Sequence, residues 1–140
     1  MLVRVLYVSR AVGPQTTAVT SAILSTARTH NRQHGIGGVL CQGQGLYLQI
    51  LEGERSAVNH LYARIVRDQR HKDVEMLSIE EITRPRYPDW SMAHVELSDR
   101  DPMVLMKHPE FDPYSASGVL VMTMVDDLLK SGHPIQVPVL

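Results

Sequence analysis

A single cysteine, Cys41, stands among the 140 residues, so the chain can form no internal disulfide and offers no cysteine-ligated metal set. A reducing cytoplasm is the expected setting. The amino-terminal MLVRVLYVSRA is apolar over too few residues, and carries Arg4 and Arg10 too close together, to be expected as a secretory signal. No apolar run approaches the roughly 18 residues a membrane-crossing helix requires. A formal net charge of -1 withholds the bulk positive field of a typical nucleic-acid binder, so nucleic acid is not the expected partner. G-x-G-x-x-G, P-loop, G-x-S-x-G and H-E-x-x-H patterns are also missing, and no enzymatic activity is expected. His30 and His34 share i, i+4 spacing but have no third ligand in view, and no metal site is predicted.

What is present fits one ordinary domain, long enough to bury about two thirds of its unfolded surface. Val3 to Ser9 is rich in β-branched and aromatic residues and reads as a strand that ends before Gly13 and Pro14. Residues 16 to 33 carry Val19, Ile23 and Ala27 as one helical stripe, continued by the polar His30 and Asn31 and ended by Gly35. Ile36 to Cys41 and Leu46 to Leu51 flank a Gly-Gln-Gly turn and read as a hairpin. Ser56 is the expected N-cap of a second helix running to about Arg70, with Val58, Leu61, Tyr62 and Ile65 inward. Val74 to Ile82 and Trp90 to Leu97 read as two more strands.

The order βαββαββ predicts an α+β, ferredoxin-like sheet with two helices on one face. Beyond Asp101, a short apolar stretch from Pro102 to His108 and a longer one from Tyr114 to Lys130 follow. The longer one carries Leu120, Val121, Met124, Val125 and Leu128 at helical spacing. These C-terminal helices are expected to cover the other face of the sheet. Residues 1–97 would then form the ligand-binding domain and 98–140 a helical extension packed on it.

Gln49, in LYLQILEGE, is the residue hardest to explain as plain structure. Alternation puts it on a face shared with Tyr47 and Leu51, and a buried amide left unpaired costs about 1–3 kcal/mol, so it needs specific partners or a ligand. In a ferredoxin-like sheet the first and third strands are neighbours. Tyr7 and Gln49 can then meet beneath a slot walled by Ile23, Ala27 and Ile65, with Asn31, Arg64 and Asp68 at its polar end. Taken singly, Tyr7 reads as a core aromatic, Arg64 and Asp68 as an exposed i, i+4 ion pair, and Trp90 and Met92 as core residues on one face of a strand.

Five ordered segments, LYVSRA, ILSTARTHNRQHGIGGVL, LYLQILEGE, VNHLYARIVRDQRH and WSMA, resemble the successive signatures of the BLUF family of blue-light sensors using flavin. The resemblance covers about residues 1–97, and the short C-terminal extension is similar to that of small stand-alone members. It implies Tyr7 and Gln49 as the photoactive pair and FAD as cofactor. The residues concerned address only the ring, which FMN and riboflavin share. It further implies that Asn31 bonds the ring's pyrimidine side with support from His30, that Arg64 and Asp68 lie near that edge, and that Ile23 and Ile65 sandwich the ring. Trp90 and Met92 would be the fifth-strand pair that carries the signal to a separate protein partner, with a homo-oligomer as a further open partner. Gly37 and Ala93 depart from the pattern, which often has Thr or Ser at the first and Gly at the second. The competing readings are a ferredoxin-like regulatory module that binds a small molecule without photochemistry, and a flavin-dependent oxidoreductase, for which no acid–base pair is evident.

Overall fold

A computed structural model describes residues 1–88, 90–97, 112–130 and 134–135. In chain order the elements are β1 (Leu2–Ala11), α1 (Thr17–His34), β2 (Gly37–Gly43), β3 (Leu46–Glu54), α2 (Arg55–Val66), β4 (His71–Ile82), β5 (Ala93–Glu96), α3 (Gly118–Lys130) and β6 (Pro134–Ile135). One sheet runs β4-β1-β3-β2-β5-β6. β3 lies between β1 and β2 and is antiparallel to both, and β1 likewise separates β3 from β4, which gives the two interlocked βαβ units of a ferredoxin-like sheet. β5 adds to β2 in parallel.

Local chemistry accounts for the boundaries. The Thr16 hydroxyl accepts the Val19 N–H at 3.2 Å and starts α1, which ends at Gly35. In the β2–β3 turn Gln44 and Gly45 both take positive φ, 55° and 77°, the backbone twist a two-residue hairpin requires. α2 follows β3 without a side-chain cap, so Ser56 lies inside its first turn rather than capping it. The helix also stops at Val66, short of Arg70, because Arg67 to Arg70 form the turn into β4.

Alternation along the strands gives the sheet two apolar faces. Val3, Val5, Tyr7, Leu40, Tyr47 and Leu51 pack with Leu24, Val58 and Leu61 of α1 and α2. Leu6, Val8, Val39, Cys41, Leu48, Ile50 and Val95 pack on the opposite face with Val121, Met124, Val125 and Leu128 of α3. Each fully buried aliphatic side chain of this kind contributes about 1.5–3 kcal/mol. Leu120, expected on that inner stripe, is instead 49% exposed, because the helix turns Val121 and Val125 inward. The Pro102–His108 stretch lies outside the described residues.

The fifth strand is shorter than the sequence suggests. Pairing with β2 begins only at Val39 opposite Ala93, so Trp90 and Met92 precede β5. Their side chains fall on opposite sides of the sheet, Trp90 against the α3-side core and Met92 in the core beneath α1 and α2.

Candidate functional site

Antiparallel pairing places Tyr7 of β1 opposite Gln49 of β3, and Gln49 opposite Leu40 of β2, all facing the gap between α1 and α2. Both polar side chains are buried, Tyr7 at 3% and Gln49 at 5% exposure. The Tyr7 hydroxyl donates to Gln49 Oε1. Burial above all, with the negative character of Tyr62, Asp68 and Tyr47 added, holds the phenol far above its usual range, so it stays a neutral O–H donor. Gln49 Nε2 lies 3.4 Å from Met92 Sδ, a weak acceptor. The amide is therefore held firmly at its oxygen end and loosely at its nitrogen end.

The walls of the cleft are Ile23 and Ala27 of α1 with Leu61 and Ile65 of α2; His30, Asn31, Arg64, Asp68, Arg70 and His71 form its polar rim. Asn31 is fully buried. Its Nδ2 donates to the Ser91 carbonyl at 2.7 Å, whereas Oδ1 has no protein partner. Leaving such an acceptor dry costs about 1–3 kcal/mol, so this atom points to a donor supplied from the cleft. Arg64 Nη1 donates to His30 Nδ1 at 3.1 Å. Burial, then His34 and Arg64, lower the His30 pKa and keep the ring a neutral acceptor for that bond.

Asp68 does not form the ion pair with Arg64 that its spacing suggested. Arg70 takes the carboxylate instead, with contacts of 2.6 and 3.0 Å, and holds its pKa below the usual range. His71 accepts from the Ser9 hydroxyl at 2.7 Å through Nδ1 and donates to the Ile65 carbonyl at 2.5 Å through Nε2, tying β1 to the end of α2. Thus Tyr7, Ile23, His30, Asn31, Gln49, Arg64, Ile65 and Asp68 converge on one cleft. Met92 touches it through Gln49, and Trp90 does not line it.

Sequence reasoning missed Leu40, Tyr47, Leu61, Arg70 and His71 as parts of the cleft. Leu40 was recoverable from the hairpin register, which sets it beside Gln49. The Asp68–Arg70 pair was not, because it exists only in the turn after α2. The two departures noted in the sequence have structural settings. Ala93 is buried in the α3-side core. At Gly37 a Cβ would lie 2.4 Å from the Tyr87 carbonyl oxygen, so a threonine or serine there would displace the segment that crosses it.

The family described as BLUF, sensors of blue-light using FAD, matches residues 2–93. The chain belongs to the BLUF family. The photoactivated adenylate cyclase subunit beta of Euglena gracilis is 39% identical over 88 residues, which are 62% of this chain and 10% of that protein. This BLUF chain thus spans about a tenth of the length of the curated relatives it matches. The structure of BlsA in its photo-activated state superposes with a TM-score of 0.83 at 27% identity and 99% coverage of both chains. That of BlrB, a BLUF protein in its dark state, gives 0.77 at 28% identity, covering 93% of this chain and 96% of that one. The ferredoxin-like α+β fold expected from the sequence is the fold of these structures. This BLUF domain is a flavin-based light sensor. Among the described residues no helix is long and apolar enough to cross a membrane.

Proposed function

We propose that this chain senses blue light through a rearrangement of the hydrogen bonds around Tyr7 and Gln49, and passes the change to a separate protein. The observation that carries this reading is a buried Tyr7 O–H donating to a buried amide whose other end is held only by a thioether.

The donor set of the cleft fits FAD. The unpaired Asn31 Oδ1 suits the imide N–H of an isoalloxazine ring, and Gln49 Nε2 and Arg64 supply donors for its carbonyls. Ile23 and Ile65 would cover its faces, while His30 and Asp68 fix the rim through Arg64 and Arg70. FAD is the family's cofactor, and FMN or riboflavin presents the same ring. When bound, the flavin supplies light absorption and a strongly oxidising excited state.

The chain's own part is to position one phenol and one amide. Tyr7 holds a proton that it can release toward Gln49 Oε1, which phenylalanine cannot do. An amide has a donor end and an acceptor end of nearly equal shape, so rotation or tautomerisation exchanges its hydrogen bonds with little change in packing. Rotation here would turn Nε2 away from Met92 Sδ. A signalling state lasting seconds requires a return barrier of about 17 kcal/mol, which the bonded, buried environment of Gln49 favours over a free side-chain flip.

In this reading residues 1–97 are the flavin-binding unit and 98–140 the extension that hands the signal on, with Trp90 and Met92, within the first, passing the change from Gln49 toward the second. A lone buried Cys41, its thiol pushed by burial up to about 12, suits a reducing cytoplasm. The test is to purify the protein, supply FAD and record its absorption before, during and after blue illumination. A yellow protein with a small reversible red shift is expected. A protein that takes up no flavin would instead be a ferredoxin-like binding module without photochemistry.

A further inference from the structure

Residues 86–88 and 90–92 belong to a strap that starts on the α3 side of the sheet and ends in the core beneath α1 and α2, beside the flavin cleft, with contacts at each end and in the middle. At the cleft end, Asn31 Nδ2 donates to the Ser91 carbonyl at 2.7 Å, Arg28 Nε donates to the Met92 carbonyl at 3.2 Å, and Met92 Sδ meets Gln49 Nε2 at 3.4 Å. In the middle, the Gly38 N–H donates to the Trp90 carbonyl at 2.9 Å and the Trp90 ring stacks on Tyr87, 5.4 Å between centroids with 15° between planes. At the far end, the Tyr87 hydroxyl donates to Asp126 Oδ1 at 3.3 Å, and Arg86 Nη1 donates to Asp126 Oδ2 at 3.0 Å. Asp126 belongs to α3.

Two carboxylates hold the strap, and they hold it differently. Glu52 is 1% exposed, pairs with Arg4 at 2.7 Å, and accepts the backbone N–H groups of Arg86 and Tyr87 at 2.9 and 2.8 Å. A buried charge with that many donors does not let go. The Asp126 side chain is 31% exposed and Arg86 44% exposed, so their contact exchanges readily with water. Gly37 adds a feature of this chain in particular. Without a side chain there, the strap lies directly on β2, the Tyr87 carbonyl occupying the place a Cβ would need.

We propose that the strap turns about Glu52 and that Asp126 is the residue of α3 that receives the state of Gln49. Loss of the Nε2 contact to Met92 releases the Met92 side chain while the Ser91 and Met92 carbonyls stay held by Asn31 and Arg28; the stacked Trp90 and Tyr87 rings carry the resulting shift to the Arg86 and Tyr87 contacts on Asp126, loosening α3. This inference rests on the amide switch proposed above. Asp126 and Tyr87 are positioning residues and touch no part of the flavin cleft.

The test compares amide exchange of residues 118–130 in darkness and under blue light for the FAD-loaded protein, for Asp126→Ala and for Tyr87→Phe, recording absorption in parallel. In the unsubstituted protein, light is expected to speed exchange across α3 about threefold or more. In both variants the red shift should persist; the light–dark difference in α3 should disappear in Asp126→Ala, which exchanges fast in either condition, and shrink in Tyr87→Phe, which keeps the Arg86 contact. Tyr87→Phe keeps the ring stack and covers the case in which Asp126→Ala folds poorly. A full light–dark difference in α3 of both variants, or none in the unsubstituted protein despite a normal red shift, would overturn the inference. Absence of the red shift itself would instead defeat the amide switch, and the strap's role would fall with it.

Discussion

Tyr7 and Gln49 face each other across neighbouring antiparallel strands, and the Tyr7 hydroxyl donates to the amide oxygen while the amide nitrogen is left to the sulfur of Met92. A switch made of one side chain follows from that asymmetry. Reversing the amide costs a weak contact to sulfur at one end and turns a donor toward Tyr7 Oη, itself able to accept. Burial of both groups keeps water from blurring the two states.

Asn31→Leu should bind FAD about 10- to 100-fold more weakly, since the ring's imide N–H loses its buried acceptor, a difference of about 1.4–2.7 kcal/mol. Titration of the flavin-free protein with FAD, followed by flavin fluorescence, measures it. An unchanged affinity would remove Asn31 from the binding site.

Glu52→Gln should destabilise the fold by about 3–5 kcal/mol, because Arg4 then keeps only its exposed partner Glu80 while its guanidinium stays buried. The midpoint of urea unfolding reports the loss. Leu48→Ala, at a fully buried position between β3 and α3, should cost about 2–5 kcal/mol by the same measurement.

Stability should fall as the pH drops below about 6.5. His94 is buried beneath α1 with Nε2 unpartnered; burial, then Arg28, lower its pKa from 6.5 against the opposing pull of Glu96. His30 shifts in the same direction. Between the lowered folded value and the unfolded one the unfolded chain binds more protons, so acid favours unfolding across that window. Urea midpoints measured from pH 7.5 to 5 should decline, and His94→Leu should flatten the decline. A midpoint that rises toward acid would reverse the assigned shift.

Much of this was legible in the sequence because the relevant patterns are local. Period-two alternation put Gln49 on an inward face, and the βαββαββ order made its strand the neighbour of the strand carrying Tyr7, which the sheet order bears out. The apolar walls of the cleft follow from helical spacing. What was not legible depends on where the backbone leaves regular structure. Trp90 and Met92 have the i, i+2 spacing of one strand face, yet the strand starts after them and they diverge to opposite sides of the sheet. Ser56 looks like an N-cap, but the chain enters α2 directly from β3 and needs none. The contacts of Glu52 with residues 86 and 87, and of those residues with Asp126, join segments more than 30 residues apart and leave no periodic trace.

The central claim is that the amide of Gln49 is the moving part. Gln49→Leu keeps the volume and removes both ends of the switch, so the light-minus-dark absorption spectrum of the FAD-loaded variant is the most direct measurement. The protein itself should show a reversible red shift, and the variant should bind FAD yet show none; a full reversible shift in Gln49→Leu would contradict the account.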